Sequence, residues 1–266
     1  MKKILLFISI VISFVYSKER LVVLDPASVE TIFMLGGADE IVGIAKLQYS
    51  SIYPEEKTKN IPSVGTFSNP SVEKIVSLRP SLVILSEYSF SLKPMLDQFK
   101  IKSIALQSKN LEDIKENILI LAKLIHKEEQ GQKLLEYFQN ELQQLQEQTK
   151  NKNVIYLYSA QPLMAFNDNS LIADILRLLG FFNVSPKSKV SRPILSQEYI
   201  LKQNPDMIIL GMGANKQSLL DYSLLKSTKA WKQNCIIIND HTHELLRLSP
   251  KILDRIKKFK TILSKC

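Results

Sequence analysis

Two segments of equal length, 71–85 and 196–210, carry nearly the same pattern and constrain the fold more than any other part of the chain. They read SVEKIVSLRPSLVIL and SQEYILKQNPDMIIL, and they share a serine, a glutamate two positions later, an isoleucine, a proline and a closing Ile-Leu pair. The serine suits a helix N-cap, the proline ends a helix, and the apolar run is typical of a buried strand. A helix followed by a strand, present twice, predicts an α/β protein with two similar lobes.

The repeated glutamates are Glu73 and Glu198, one in each copy. Each falls in the first turn of its predicted helix, where the helix dipole favours a carboxylate and solvent is near. The repeat therefore predicts one matched acidic group on each lobe. A plainer interpretation, that each glutamate only stabilises its own helix end, remains open.

The first 17 residues predict a secretory signal peptide. Two lysines precede an apolar run over residues 4–15, which is too short to cross a bilayer. The mature, exported chain is expected to begin near Lys18. No cysteine lies near this point, so we expect a protein without a lipid anchor.

Charge and composition favour a globular protein that binds a small molecule. The chain is 45% hydrophobic and 23% charged, and its formal charge of +9 falls by two when the leader is removed. Its lysines are dispersed and do not form a basic stripe with interleaved aromatic residues, so we expect no nucleic-acid partner. A basic surface favours anionic small ligands.

The cysteines predict no disulfide framework. Cys235 opens an apolar, strand-like run, and Cys266 is the last residue of the chain.

Strand and helix patterns alternate on both sides of a long polar helical segment. This segment lacks proline, contains only Gly131 as a weak helix former, and would be roughly 30 Å long. The pattern predicts a first lobe over residues 18–126, a connecting helix over 127–150 and a second lobe over 151–266. In such sheets, ligands bind beyond the carboxyl ends of the strands. The alternative is an ordinary surface helix within one domain.

Four segments in order resemble the iron-siderophore and cobalamin family of periplasmic binding proteins, which serve ABC importers. They read DPASVETIFMLGGADEIVGI, IPSVGTFSNPSVEKIVSLRPSLVIL, ILSQEYILKQNPDMIIL and INDHTHELLRLSPKIL. The resemblance runs from about Leu21 to the end of the chain. It implies two Rossmann-like lobes with mostly parallel sheets, joined by one long rigid α-helix, with a ligand cleft between them that closes little. It also implies that Glu73 and Glu198 contact arginines of a membrane permease.

The resemblance further implies a set of ligand-contacting positions in the cleft. They are Pro26, Tyr49, Phe67, Tyr88, Leu163, Arg192, His241, His243 and Arg247. Cobalamin binders tend to place tryptophans at such positions, whereas the single tryptophan of this chain, Trp231, lies elsewhere. Two arginines suit an anionic metal chelate, because guanidinium presents a planar fork to paired oxygens. A ferric siderophore is therefore the expected ligand, with cobalamin, haem or a nickel chelate as alternatives.

His241 and His243 are two residues apart. If the preceding strand continues through them, both imidazoles point the same way, and one could complete the coordination of a chelated metal. The alternative is a pair of solvated loop histidines. We predict no metal site made by the protein alone, because the remaining histidine, His126, is far along the chain.

Enzymatic motifs are not evident in the chain. It has no G-x-S-x-G elbow, no H-E-x-x-H pair and no Walker loop, and the glycines at 211 and 213 lack the third glycine of a dinucleotide fingerprint. We therefore expect a monomeric binding protein with no intrinsic cofactor, whose partners are a metal chelate and an ABC permease. An exported hydrolase with a dispersed site is the alternative from another class.

Overall fold

A computed structural model describes residues 18–48 and 50–266 of the chain. The predicted leader and Tyr49 lie outside these residues. No helix within the described part combines the length and the apolar character needed to cross a bilayer.

The first lobe is a six-stranded sheet in the order β4-β3-β2-β1-β5-β6, with helices packed against it. All neighbouring strands are parallel except β3 and β4. Its elements are β1 (Leu21–Val23), α1 (Pro26–Met34), β2 (Ile41–Lys46), α2 (Glu55–Thr58), β3 (Ser63–Thr66), β4 (Asn69–Pro70), α3 (Val72–Ser77), β5 (Leu82–Leu85), α4 (Lys93–Gln98), β6 (Lys102–Ala105) and α5 (Leu111–Leu124).

The second lobe follows helix α6 (Glu128–Leu145) and contains a five-stranded sheet. The order is β11-β10-β7-β8, with β9 also paired to β7, and only β8 runs antiparallel. Its elements are β7 (Asn153–Ala160), β8 (Leu163–Ala165), α7 (Leu171–Leu178), β9 (Phe182–Asn183), α8 (Gln197–Gln203), β10 (Met207–Gly211), α9 (Lys229–Lys232), β11 (Ile236–Asn239), α10 (Thr242–Leu245) and α11 (Ile252–Leu263). The predicted α/β fold with two mostly parallel sheets is confirmed.

Helix α6 separates the two sheets along the chain and packs closely on α5. A Cβ atom at Gly131 would lie 2.4 Å from the Cβ of Ala122, so only glycine permits this approach. Phe138 of α6 is fully buried in a core cluster that includes Ile118 of the first lobe and Val154 of the second. The helix is therefore part of a continuous core between the lobes.

The sequence repeat is also a structural repeat. Ser71 and Ser196 cap α3 and α8 by accepting a backbone N–H bond from the residue three positions later. The residue before the shared proline has positive φ in both copies, 46° at Arg79 and 43° at Asn204. This left-handed residue ends the helix and directs the chain into the buried strand.

Both copies also attach to their neighbouring strand in the same way. The backbone N–H of Arg20 donates to Ser81 Oγ over 2.9 Å, and that of Asn153 donates to Asp206 Oδ2 over 2.8 Å. Ser81 and Asp206 each follow the shared proline of the repeat. The two lobes are therefore built on equivalent frames, with β5 beside β1 and β10 beside β7.

The two cysteines form a disulfide, so the sequence-based expectation was wrong. Cys235 and Cys266 have Cα atoms 5.6 Å apart. Helix α11 runs back along β11, so that the end of the chain, Cys266, lies beside Cys235 at the start of that strand. The two residues are 31 positions apart in the sequence. The bridge encloses the whole segment from β11 to the C-terminus.

We predict that replacing both cysteines by alanine lowers the free energy of unfolding by about 3 to 4 kcal/mol, the loop-closure contribution for a loop of this length. Chemical denaturation of the oxidised protein and of the double variant measures the difference. Reduction of the wild-type protein should reproduce the loss. Equal stability of oxidised and reduced protein would contradict the prediction.

Candidate ligand-binding site

A cavity of about 830 Å³ lies between the two lobes. The first lobe contributes Glu30 of α1 and the loop after β2, and the second lobe contributes the turn after β11 and the first half of α11. Ligands of open parallel sheets bind beyond the carboxyl ends of the strands, and both bordering loops follow such ends. The cavity therefore occupies part of the predicted cleft.

Glu30 forms the main polar connection between the lobes. Its carboxylate is fully buried and accepts hydrogen bonds from Arg247 Nη1 at 2.6 Å and from Arg255 Nη2 at 2.6 and 2.9 Å. The Ser249 hydroxyl also donates to this carboxylate. One acid of the first lobe thus holds two arginines and a serine of the second.

Arg247 was predicted to contact the ligand, and the structure uses it to join the lobes. Besides Glu30, its guanidinium donates to the Ser51 carbonyl at 2.9 Å and to Ser50 Oγ at 3.0 Å. Only 9% of its side chain is exposed at the cavity wall. A further contact with ligand stays a prediction.

The sequence analysis missed Glu30, Ser249 and Arg255. A usable signal was present, because Glu30 is a single acid in a helix whose other inward-facing residues are apolar and small. A carboxylate in such a position is rarely buried without a cationic partner. The partner could not be read from the sequence, since Arg255 is 225 positions away.

The protonation state of Glu30 follows from these contacts. Burial by itself raises the pKa of this carboxyl, but the charges of Arg255 and Arg247 and the hydrogen bonds from Arg255 and Ser249 outweigh burial and lower the pKa below its usual range. Glu30 is therefore ionised at neutral pH, and its charge is balanced within the cluster.

The histidines lie at the cavity on a turn, so the strand does not continue through them, which was one of the two alternatives left open by the sequence. Strand β11 ends at Asn239, and α10 begins at Thr242. The exposed His241 has Nδ1 3.2 Å from Glu244 Oε1, and its ring centre is 6.4 Å from that of His243. The described residues contain no cluster of three or more potential metal ligands.

His243 is the less exposed of the two imidazoles. Burial lowers its pKa, and the charges of Arg247, His241 and Arg255 act in the same direction, whereas that of Glu244 opposes them. The imidazole is therefore neutral at pH 7 and has a lone pair available to a metal.

An aromatic pair marks the first lobe at the ends of β3 and β5. Phe67 and Tyr88 have ring centroids 4.9 Å apart, and 53% of Tyr88 is exposed. Tyr88 sits on a 3₁₀ turn that is fixed by reciprocal hydrogen bonds between Ser86 and Ser89. These contacts hold the Tyr88 ring in an exposed position. A ligand contact by Phe67 or Tyr88 stays a prediction.

Arg192 of the second lobe is held by aromatic rings. Its guanidinium carbon lies 4.1 Å from the ring centre of Tyr158 and 5.8 Å from that of Phe166. Within the described residues Arg192 has no carboxylate partner and no hydrogen-bond acceptor. Stacking fixes the plane of the guanidinium and leaves its donors available to an anion.

Two further predicted contact positions, Pro26 and Leu163, are buried. Pro26 begins α1 and is buried, and Leu163 is 2% exposed within the core of the second lobe. A ligand contact by either side chain stays a prediction. Tyr49 lies outside the described residues, and its neighbours Ser50 and Ser51 border the cavity.

Glu73 and Glu198 occupy the same position in the two structural repeats. Both are exposed in the first turn of a Ser-capped helix. Neither carboxylate forms an ion pair with a described residue. Each lobe thus presents an exposed glutamate at the start of an equivalent helix.

A sequence profile described as periplasmic binding protein matches residues 21–241, most of the chain. The chain belongs to the periplasmic binding protein family. The family comprises substrate-binding proteins of ABC transporters and not enzymes, so the predicted family is confirmed.

Similar proteins support this assignment over nearly the whole length of the chain. The vitamin B12-binding protein of Vibrio campbellii is 25% identical over 260 residues, which are 93% of this chain and 91% of that protein. The crystal structure of a possible iron-binding, periplasmic solute-binding protein of Staphylococcus epidermidis has a TM-score of 0.80 and 20% identity, and covers 93% of this chain and 99% of its own. The structure of the apo periplasmic heme-binding protein of Roseiflexus sp. RS-1 has a TM-score of 0.78 and 22% identity. The match covers 94% of this chain and 99% of that protein. These two structures establish that this periplasmic binding protein shares their fold.

We predict that Glu30→Ala lowers the free energy of unfolding of this periplasmic binding protein by about 3 to 5 kcal/mol, because two buried guanidinium groups lose their counter-ion. Chemical denaturation at pH 7 measures the change. The control is Glu136→Ala, which removes an exposed glutamate from α6. Equal effects of the two substitutions would contradict a role for Glu30 between the lobes.

The same carboxylate predicts a pH dependence. The pKa of Glu30 is lowered in the folded state. Its contribution to the free energy of unfolding is therefore complete above the usual glutamate pKa of 4.5 and is lost as the pH falls through the folded-state pKa. The stability difference between wild type and Glu30→Gln should therefore shrink below about pH 4.5. A difference that stays constant into this acidic range would be inconsistent with the lowered pKa.

Proposed function

We propose that this protein captures an anionic metal chelate in the periplasm, foremost a ferric siderophore, and delivers it to the permease of an ABC importer. The observation that carries the proposal is the stacked guanidinium of Arg192, whose donors have no partner among the described residues. A fixed, unpaired arginine matches the paired oxygens of catecholate, hydroxamate or carboxylate groups. The exposed ring of Tyr88, packed on the partly buried ring of Phe67, supplies an apolar surface for the organic part of such a ligand.

Haem is a second candidate, and a specific observation favours it. His243 lines the cavity with a lowered pKa, so its neutral imidazole suits an axial position on haem iron, while Arg192 suits a propionate. Cobalamin is supported by the names of relatives such as the Vibrio campbellii protein. The absence of tryptophans from the predicted contact positions argues against it.

Titration of the purified protein with ferric siderophores, haem, cobalamin and nickel–histidine tests the proposal. Quenching of tyrosine and tryptophan fluorescence reports binding of each ligand, and a shift of the Soret band reports axial ligation of haem. We expect the tightest binding for a ferric chelate with several negative charges. Binding of none of the four, together with turnover of a substrate, would favour the exported hydrolase.

We predict that Arg192→Ala weakens binding of the anionic chelate at least tenfold, the effect of losing a charge-assisted, paired hydrogen bond. Isothermal titration at constant salt measures the change. The matched control is Lys189→Ala, which removes an exposed cation from the same loop and should have little effect. If both variants bind like wild type, Arg192 does not contact the ligand.

We infer that Glu73 and Glu198 orient the protein on its permease. Exposed ion pairs contribute only about 0–1 kcal/mol each, so two of them steer and align the complex more than they hold it together. Their equivalent positions in the repeat give each lobe one contact. The cleft would then lie over the entrance of the transport pathway.

The double variant Glu73→Ala, Glu198→Ala should retain ligand affinity and lose most ligand uptake, because only the encounter with the permease is affected. Uptake of radiolabelled ligand by cells that carry the variant measures this, alongside ligand affinity of the purified protein. Glu116→Ala with Glu136→Ala provides a control with the same loss of charge on α5 and α6. Normal uptake by the first double variant would refute the docking role.

A further inference from the structure

Three buried polar side chains form a closed hydrogen-bonded ring beneath the histidine turn. Asn239 Nδ2 donates to the Tyr156 hydroxyl over 2.7 Å, and this hydroxyl is 2.7 Å from Thr242 Oγ1. Thr242 Oγ1 in turn donates to the backbone carbonyl of Asn239 over 2.7 Å. Since the threonine proton goes to that carbonyl, the Tyr156 proton must point to the threonine oxygen.

The ring has one consistent donor direction, from the Asn239 amide through Tyr156 and Thr242 to the Asn239 carbonyl. Such a chain of hydrogen bonds is mutually strengthening in a low-dielectric interior. All three residues are 1% exposed or less. Burial raises the pKa of Tyr156 to about 12, so the hydroxyl keeps its proton over the physiological range.

The ring holds the segment that carries both histidines. Thr242 lies between His241 and His243, and the backbone N–H of His241 donates to Asn239 Oδ1 over 3.2 Å. A Cβ atom at Gly211 would lie 2.4 Å from Thr242 Oγ1, so the end of β10 closes tightly over the ring. The turn is thus fixed from β7, β10 and β11 together.

Aromatic contacts connect the hydrogen-bonded ring to Arg192, a cation of the same lobe. Tyr156 packs edge-to-face on Phe166 with centroids 5.2 Å apart, and Phe166 packs in the same way on Tyr158 at 5.7 Å. Tyr158 and Phe166 are the rings that hold Arg192. Tyr156 therefore contacts both the support of Arg192 and the support of the histidine turn.

The hydroxyl of Tyr156 is not needed to fill space. The aromatic side chain of Tyr156 stacks on Phe259, with ring centroids 5.9 Å apart. A phenylalanine at position 156 would preserve this packing contact. What phenylalanine would lose is the link between Asn239 and Thr242. The Tyr156 hydroxyl therefore serves to hold the histidine turn and not to pack the core.

We propose that Tyr156 is a positioning residue of the ligand-binding site. Its hydroxyl sets the orientation of the turn bearing His241 and His243 before ligand arrives, so that the imidazoles need no rearrangement on binding. Preorganisation of this kind increases affinity by lowering the ordering cost of the bound state. The inference rests on the proposed function in one respect, namely that this turn faces the ligand.

The test compares wild type with Tyr156→Phe, using Tyr137→Phe on the exposed face of α6 as the control. In ligand-free protein, NMR spectra should show altered chemical shifts of the His241 and His243 imidazoles in Tyr156→Phe and unaltered shifts in Tyr137→Phe. Affinity for the chelate identified by titration should fall about tenfold, the effect of losing a buried hydrogen bond. Thr242→Val should reproduce both effects, and Thr242→Ser should restore wild-type behaviour because it keeps the hydroxyl.

Unchanged histidine resonances in Tyr156→Phe and Thr242→Val would overturn the proposal, whatever their stability. If Tyr156→Phe fails to fold, the Thr242→Val and Thr242→Ser pair decides the question, because both retain the tyrosine. The NMR readout needs no ligand. A protein that binds no chelate but shows the histidine changes would reject the proposed function and retain the positioning of the turn.

Discussion

The architecture depends on one buried carboxylate between the lobes. Glu30 belongs to the first helix of the first lobe, yet Arg247 and Arg255 of the second lobe satisfy its charge. A buried ion is tolerated only when its partners are in place, so this cluster is complete only in one relative arrangement of the lobes. Together with α6, which shares its core with both lobes, the cluster explains why a cleft of fixed width is expected in this structure.

A fixed frame determines how the site can recognise its ligand. Phe67 and Tyr88 on one lobe, and Arg192 on the other, are each held by local contacts that do not involve a ligand. Arg247 and Arg255 are paired with Glu30, whereas Arg192 has no ion-pair partner in the described part of the chain. The proposed recognition of an anion therefore falls to Arg192, whereas the charged cluster near the cavity joins the lobes.

Local elements could be predicted because their causes are local. Serine caps, a helix stop before proline and apolar strands depend on neighbours within a few residues, and both repeat copies formed as expected. The disulfide was predicted incorrectly, and the direction of the chain after β11 was left open. The pairing of Cys235 with Cys266 depends on where α11 returns, and the turn before the histidines depends on distant residues of β7 and β10 that pack against Thr242.

The sequence by itself determined the class of fold, its duplication, the family resemblance and the matched acids Glu73 and Glu198, since these follow from short-range pattern and repetition. Only the tertiary structure decided the partners of Glu30, the stacking of Arg192 and the ring around Tyr156. These contacts join residues up to 225 positions apart, and no periodicity along the chain encodes which distant side chains will meet. The assignment of Arg247 shows the difference, because its position in a motif suggested a ligand contact while its neighbours in space made it a link between lobes.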